Sequence, residues 1–142
     1  MKKKAAIIVA IVLATVLASS TAGCKLNRPG DISKAEIILQ SSERHSNADI
    51  MAAVRLVKEH FRTYFGNCTL KTLYYDDEKS LQEEAYGKST FNGVEAIILY
   101  SDFHVGDVDA DTAFNSNTEY DDWNWVVIKA KDGKWKLETW GY

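Results

Sequence analysis

Tyr100, Asp102 and His104 stand at alternating positions of the run VEAIILYSDFHV, residues 94–105. Alternation along an extended chain puts all three on one face of a strand. A phenol, a carboxylate and an imidazole gathered in a cleft could move a proton or polarise a carbonyl. The competing reading is the polar, exposed end of a strand that runs out into a loop. Asp107, Asp109 and Asp111 follow at once, with Asn115 and Glu119 beyond them. Carboxylates at positions 1, 3 and 5 and an oxygen side chain at position 9 open a calcium loop. The pattern departs from an EF-hand. Thr112 replaces the glycine of position 6, Glu119 falls one place late, and no helices flank the segment. A calcium site of another kind is set against a solvated acidic loop held extended by its own charge.

Other chemistry is scarce. Gly87-Lys88-Ser89-Thr90 has the tail of a phosphate-binding loop, but Gln82 stands where the first glycine belongs and no strand leads into it. His45, His60 and His104 lack zinc-ligand spacing. No Gly-x-Ser-x-Gly occurs. Cys68 lies among polar neighbours and reads as a small buried hydrophobe, not a nucleophile.

The first residues concern address. Lys2, Lys3 and Lys4 precede an apolar run from Ala5 to Ala18, and Ser19 to Gly23 are small or polar. This is the three-part layout of a secretory signal, and the run falls short of the ~20 residues of a spanning helix. Ala22-Gly23-Cys24 resembles the lipobox of bacterial lipoproteins, with Thr21 where leucine is usual. The expectation is cleavage after Gly23 and lipidation of Cys24, the membrane partner of the chain. Residues 1–23 are then the signal peptide, 24–46 a tether with a short helix, and 47–142 one domain. The whole chain carries a formal charge of −3, and loss of the three leader lysines leaves it more acidic. An acidic domain argues against nucleic acid. With Cys24 modified, Cys68 has no partner for a disulfide, so stability rests on packing.

The elements that would position these groups read in order. Lys25 to Ile32, with the only proline, is the tether proper, spanning about 30 Å at ~3.3 Å per residue. Ser33 to Gln40 reads as a short helix, Ser33 and Glu36 making a capping box. A longer helix runs from about Ala48 to Phe65, capped by Ser46 or Asn47. Ile50, Val54, Val57, Phe61 and Tyr64 form its apolar stripe. Thr69 to Tyr75 is a strand, and Ser80 to Tyr86 two helical turns closed by Gly87. Val94 to Val105 opens apolar on both faces, as a doubly covered central strand does. Residues 106–122 form a long acidic loop.

All four tryptophans lie in the closing stretch, and Asp132-Gly133 predicts a hairpin with a two-residue type I′ turn. In that register Ala130, Trp135, Ile128, Leu137, Val126 and Thr139 face the core. Trp123, Trp125, Trp140 and Tyr142 gather on the opposite side. They are either covered by the 106–122 loop or the helix, or form a platform for a glycan, a peptide or a partner protein.

Helices early and antiparallel strands late give an α+β fold, with the long helix laid across one face of the sheet. Ala113-Phe114-Asn115-Ser116-Asn117-Thr118, Tyr120, Trp123-Asn124-Trp125, Gly133-Lys134-Trp135, Trp140-Gly141-Tyr142, Phe65-Gly66-Asn67-Cys68-Thr69-Leu70 and Ser101-Asp102-Phe103 resemble small lipoproteins of Gram-positive, clostridial-type bacteria. The resemblance covers about Asp49 to Tyr142. It implies a domain distantly similar to the NTF2-like (cystatin-like) fold, N-terminal helices packed on a curved antiparallel sheet, and no reaction, because no catalytic motif of that fold transfers to these positions. The expected function is a lipid-anchored, extracytoplasmic, non-catalytic module for a protein, glycan or small molecule. The alternatives are an NTF2-like enzyme using Asp102, His104 and Tyr100, and a calcium-binding domain.

Overall fold

The computed structural model describes residues 27–142. The signal peptide and Cys24 lie outside the described residues. The elements are β1 (Glu36–Leu39), α1 (Asn47–Tyr64), β2 (Cys68–Tyr75), α2 (Asp77–Phe91), β3 (Glu95–Val105), β4 (Thr118–Lys129) and β5 (Trp135–Gly141). The five strands form one sheet in sequence order. β1 runs parallel to β2, and the other neighbours are antiparallel. The fold is α+β, with two helices packed on a mixed sheet.

The short helix expected over 33–40 is a strand instead. Asp31, not a helix, claims Ser33: its carboxylate accepts from the Ser33 N–H at 2.9 Å and from the Ser33 hydroxyl at 2.6 Å. The chain is then free to pair with β2, and Ile37 packs on the core. The tether segment is therefore docked on the domain well before residue 47. The Gly30 N–H reaches Arg62 O at 3.0 Å, and Asp31 bridges Thr69.

α1 begins where its cap predicts, the Ser46 hydroxyl accepting from the Asp49 N–H at 3.1 Å. Ile50, Ala53, Val54, Val57 and Phe61 are buried, but Tyr64, expected on the same stripe, is 70 % exposed. α2 is twice the helix expected. Its cap is Asp76, which accepts from the Lys79 N–H at 2.9 Å, and it ends at Asn92 in the left-handed region. Gly87 does not end it. There the helix touches the sheet, and a Cβ would meet Val126 Cγ1 at 3.2 Å. The buried face of α2 is Ser80, Glu84 and Gly87, which has no apolar period to read.

The helices cover opposite faces. Alternation along β3 sends Ile97, Leu99, Phe103 and Val105 to the core under α1, and Ala96, Ile98 and Tyr100 to a smaller cluster under α2. The doubly covered strand is thus present. β4 begins at Thr118, so the acidic loop is shorter than expected, spanning 106–117.

The hairpin turn differs from the expectation. Gly133 alone has positive φ there, at 83°. Gly133 N–H donates to Ala130 O and Ala130 N–H to Lys134 O, both at 2.9 Å, which makes a three-residue loop. The extra residue moves the register by one, pairing Lys129 with Trp135 and Val127 with Leu137. A bulge at Glu138 moves it back, so Val126–Thr139 and Trp125–Trp140 pair as expected. One residue of slip exchanges faces. Trp135 and Leu137 belong with Val127 and Trp125 under α1, whereas Val126 and Ile128 turn to α2.

Candidate functional site

Tyr100, Asp102 and His104 share a face, as their alternation requires, but each is already engaged. Tyr100 is buried. Its hydroxyl donates to Lys79 O at 3.1 Å, and burial pushes its phenol well above the usual value. Asp102 accepts the Asp122 N–H at 2.9 Å. His104, half exposed, meets Glu119 at 2.7 Å, and that bond holds the Glu119 carboxyl below its usual range. Lys71 joins the same carboxylate at 3.2 Å. Asp102 and His104 are partly exposed on the sheet, whereas Tyr100 is enclosed beneath α2.

Beside them lies a tighter polar cluster that sequence reasoning missed. Lys79, from the first turn of α2, stands 4.0 Å from the centre of the Tyr100 ring. Its ammonium reaches Tyr74 Oη at 3.0 Å and Asp122 Oδ1 at 3.1 Å. Tyr74 Oη donates to Asp122, and Tyr74 stacks on Tyr100. Asp122 has φ 55°, at the bulge of β4 opposite Asp102. Burial raises the Tyr74 phenol and its bond to Asp122 adds to this. Burial would lower Lys79, but Tyr74 and Asp122 outweigh it and raise the ammonium. Both groups therefore keep their protons at neutral pH. The cluster clamps α2 to β2 and β4.

A second missed cluster joins the loop before α1 to α2. His45 Nε2 lies 2.8 Å from Glu84 Oε1, Arg44 Nη2 3.2 Å away, and the Ser80 hydroxyl donates to Glu84 Oε1 at 3.1 Å. Ser80 Oγ itself accepts the Ile98 N–H at 3.1 Å. Serine, histidine and carboxylate are all buried here, but the carboxylate sits between the other two, so nothing deprotonates the serine. No motif announces either cluster, because the partners are far apart in sequence.

The calcium candidates Asp107, Asp109, Asp111, Asn115 and Glu119 do not converge. Among the described residues no three His, Cys, Asp or Glu side chains are grouped to hold a metal ion. Glu119 is committed to His104 and Lys71. The loop is instead pinned by Ser116, whose hydroxyl accepts from Val108 N–H at 2.9 Å. Cys68 is buried, and burial pushes its thiol up to about 11, which suits an inert core residue.

The aromatic end is where the structure changes the expectation most. Trp125 is fully buried, its indole N–H donating to Ser101 Oγ at 2.8 Å. Trp123 is partly buried against Phe65, Phe103 and Phe114. Neither is a platform facing away from the core: α1 covers Trp125, and Phe114 of the acidic loop covers Trp123. Trp140 and Tyr142 remain 40 % and 80 % exposed. Trp140 lies 4.0 Å from the His60 ring, and His60 lies 4.6 Å from Tyr64. Tyr142 packs on Trp123 at 5.1 Å. Burial lowers the His60 imidazole, so it is neutral at pH 7.

Next to Tyr64 opens a groove of about 560 Å³. Arg28, Pro29, Tyr64, Asn67, Asp109 and Phe114 are among the residues that line it. Its volume is in the range of small-ligand sites. Tyr100, Asp102 and His104 do not line it. Comparison with known proteins finds no matching family, no matching curated protein and no matching solved structure.

Proposed function

We propose that the chain is a membrane-anchored, extracytoplasmic binding module without catalytic activity, held by a lipid on Cys24. Its ligand site is the groove between Arg28, Tyr64 and Phe114. The observation that carries this reading is the contrast between the two candidate places. The titratable trio Tyr100, Asp102 and His104 spends its polar groups on neighbouring protein atoms. The groove combines the Arg28 side chain with the aromatic faces of Tyr64 and Phe114 around open volume, a mixture that orients a small polar ligand or a peptide end. The finer fold assignment, NTF2-like or cystatin-like, belongs to the same proposal. A long helix across one face of a bent sheet supports it, while α2 on the second face and the parallel β1 are departures from it.

Two measurements test the reading. Cys24→Ala releases the protein from intact cells into the medium; retention on the membrane overturns the lipid anchor. Mild crosslinking on intact cells recovers a defined partner or ligand from the wild-type chain, and Arg28→Ala with Tyr64→Ala reduces that recovery at least tenfold. Unchanged recovery moves the site away from the groove.

A further inference from the structure

The exposed rings and the point where the chain enters the fold are linked along the α1 side of the sheet: Trp140 lies on His60, His60 on Tyr64, and Tyr64 lines the groove with Arg28. Arg28 N–H donates to Asn67 Oδ1 at 3.1 Å and accepts the Asn67 N–H on its carbonyl at 3.0 Å, at the corner where α1 passes into β2. Tyr64 is the last residue of α1. β5 stops at mid-sheet, where Gly141 pairs with Asn124, and Tyr142 extends from it over Trp123 and Tyr120 toward the groove side. Tyr64, Trp140 and Tyr142 are among the exposed large hydrophobic residues of the described chain. The undescribed segment that leads in at Asn27 holds the apolar run Ala5–Ala18 and Cys24. Between Cys24 and Gly30 the backbone can span no more than about 20 Å.

From this geometry we propose that Tyr64, Trp140 and Tyr142 form a bilayer-docking rim, which seats this side of the domain in the headgroup layer. The inference rests on the anchored reading above and adds an orientation to it. Tyrosine and tryptophan suit that layer because each has an apolar body and a polar tip. Three rings bind weakly alone, but an anchor a few residues away makes docking intramolecular and raises the effective concentration. The neutral His60 between Tyr64 and Trp140 adds no charge that the layer must accommodate. The charged groups on this side are Arg28, the pairs Arg62–Glu59, Lys71–Glu119 and Lys79–Asp122, and the acidic residues Asp31, Asp107, Asp109, Asp111 and Asp121. Their balance is negative. Zwitterionic lipid is therefore the favoured surface, and anionic lipid repels the rim over a Debye length of about 10 Å. Docking in this pose places the groove at the membrane surface, open to a ligand that diffuses along it.

The test uses the lipidated full chain in phosphatidylcholine vesicles with brominated acyl chains, read by flotation and tryptophan quenching. The expected result is co-flotation with quenching that Trp140→Phe reduces at least twofold. Tyr142→Asp, at the exposed chain end, lowers it while flotation persists. A 30 % anionic lipid fraction lowers it too, and added salt restores it. Near-ultraviolet circular dichroism checks that Trp140→Phe still folds, and Tyr142→Asp decides the matter if it does not. Flotation without quenching, or quenching indifferent to both variants, overturns the rim. Crosslinking of the rim to a second copy in place of quenching also overturns it. Failure to float overturns the anchor itself and the rim with it.

Discussion

Glu84 shows how single residues tie this molecule together. Burial alone would raise its carboxyl, but the bonds from Arg44 and His45 outweigh it and hold the group below its usual value. A carboxylate whose folded pKa is depressed contributes stability above its unfolded pKa, about 4.3, and loses it as pH falls through the folded value. Glu84→Gln keeps the shape and removes the charge. It is expected to cost about 1–3 kcal/mol at pH 7, measured by urea unfolding. The gap from wild type narrows below about pH 4.3. A pH-independent gap means that Glu84 acts by shape alone. None of this was legible in the sequence, where Glu84 reads as an ordinary surface residue of a helix. The motif residues erred the other way. Asp102 and His104 have the right types for catalysis, but a side chain's chemistry depends on what already occupies its hydrogen bonds.

Among the elements, α2 was the hardest to read. Helical segments are recognised by an apolar stripe, and the face that α2 buries is Ser80, Glu84 and Gly87, with Phe91 partly buried at its end. Its contact depends on absence of a side chain at Gly87, where Val126, Ile128 and Ala96 approach. Gly87→Val should therefore destabilise the protein by about 1–3 kcal/mol, through overpacking and a β-branched residue in a helix. The exposed Leu81→Val is the control, expected to change stability by less than about 0.5 kcal/mol. Equal effects of the two in urea unfolding mean that the α2–sheet contact is loose. β1 failed for a related reason: Ser33 and Glu36 spell a capping box, but Asp31 captures Ser33 first. The hairpin was legible as a hairpin. Its register was not, because a three-residue turn and the bulge at Glu138 each move it by one residue, in opposite senses.

At the scale of the whole molecule, β3 is the structural centre. It pairs on both edges, α1 and α2 cover its two faces, and Ala96 to Tyr100 are all buried. Local opening is least where burial and pairing are most complete. Hydrogen exchange should therefore be slowest at Ile97, Ile98 and Leu99, and at least a hundredfold faster in β1, a four-residue edge strand. Comparable protection in β1 and β3 means that the N-terminal segment is bound to the domain more strongly than its few bonds suggest. The same architecture divides the aromatic residues. Phe61, Phe103 and Trp125 fill the core, and Tyr64, Trp140 and Tyr142 stay exposed beside it.

Composition and local pattern by themselves determined an α+β domain, the cap and buried face of α1, a central strand apolar on both sides, and an aromatic C-terminal hairpin. Each of these depends on neighbours within a few residues, so each is written locally. Tertiary structure alone decided which tryptophans are covered, which helix face is buried without apolar residues, and which carboxylates are spent. Those outcomes depend on register and on partners about 20 to 50 residues away, such as Glu84 for His45, Asp122 for Tyr74 and Ser101 for Trp125. A one-residue slip is invisible in composition, and it moves Trp135 and Leu137 from the face of Val126 and Ile128 to that of Val127 and Trp125.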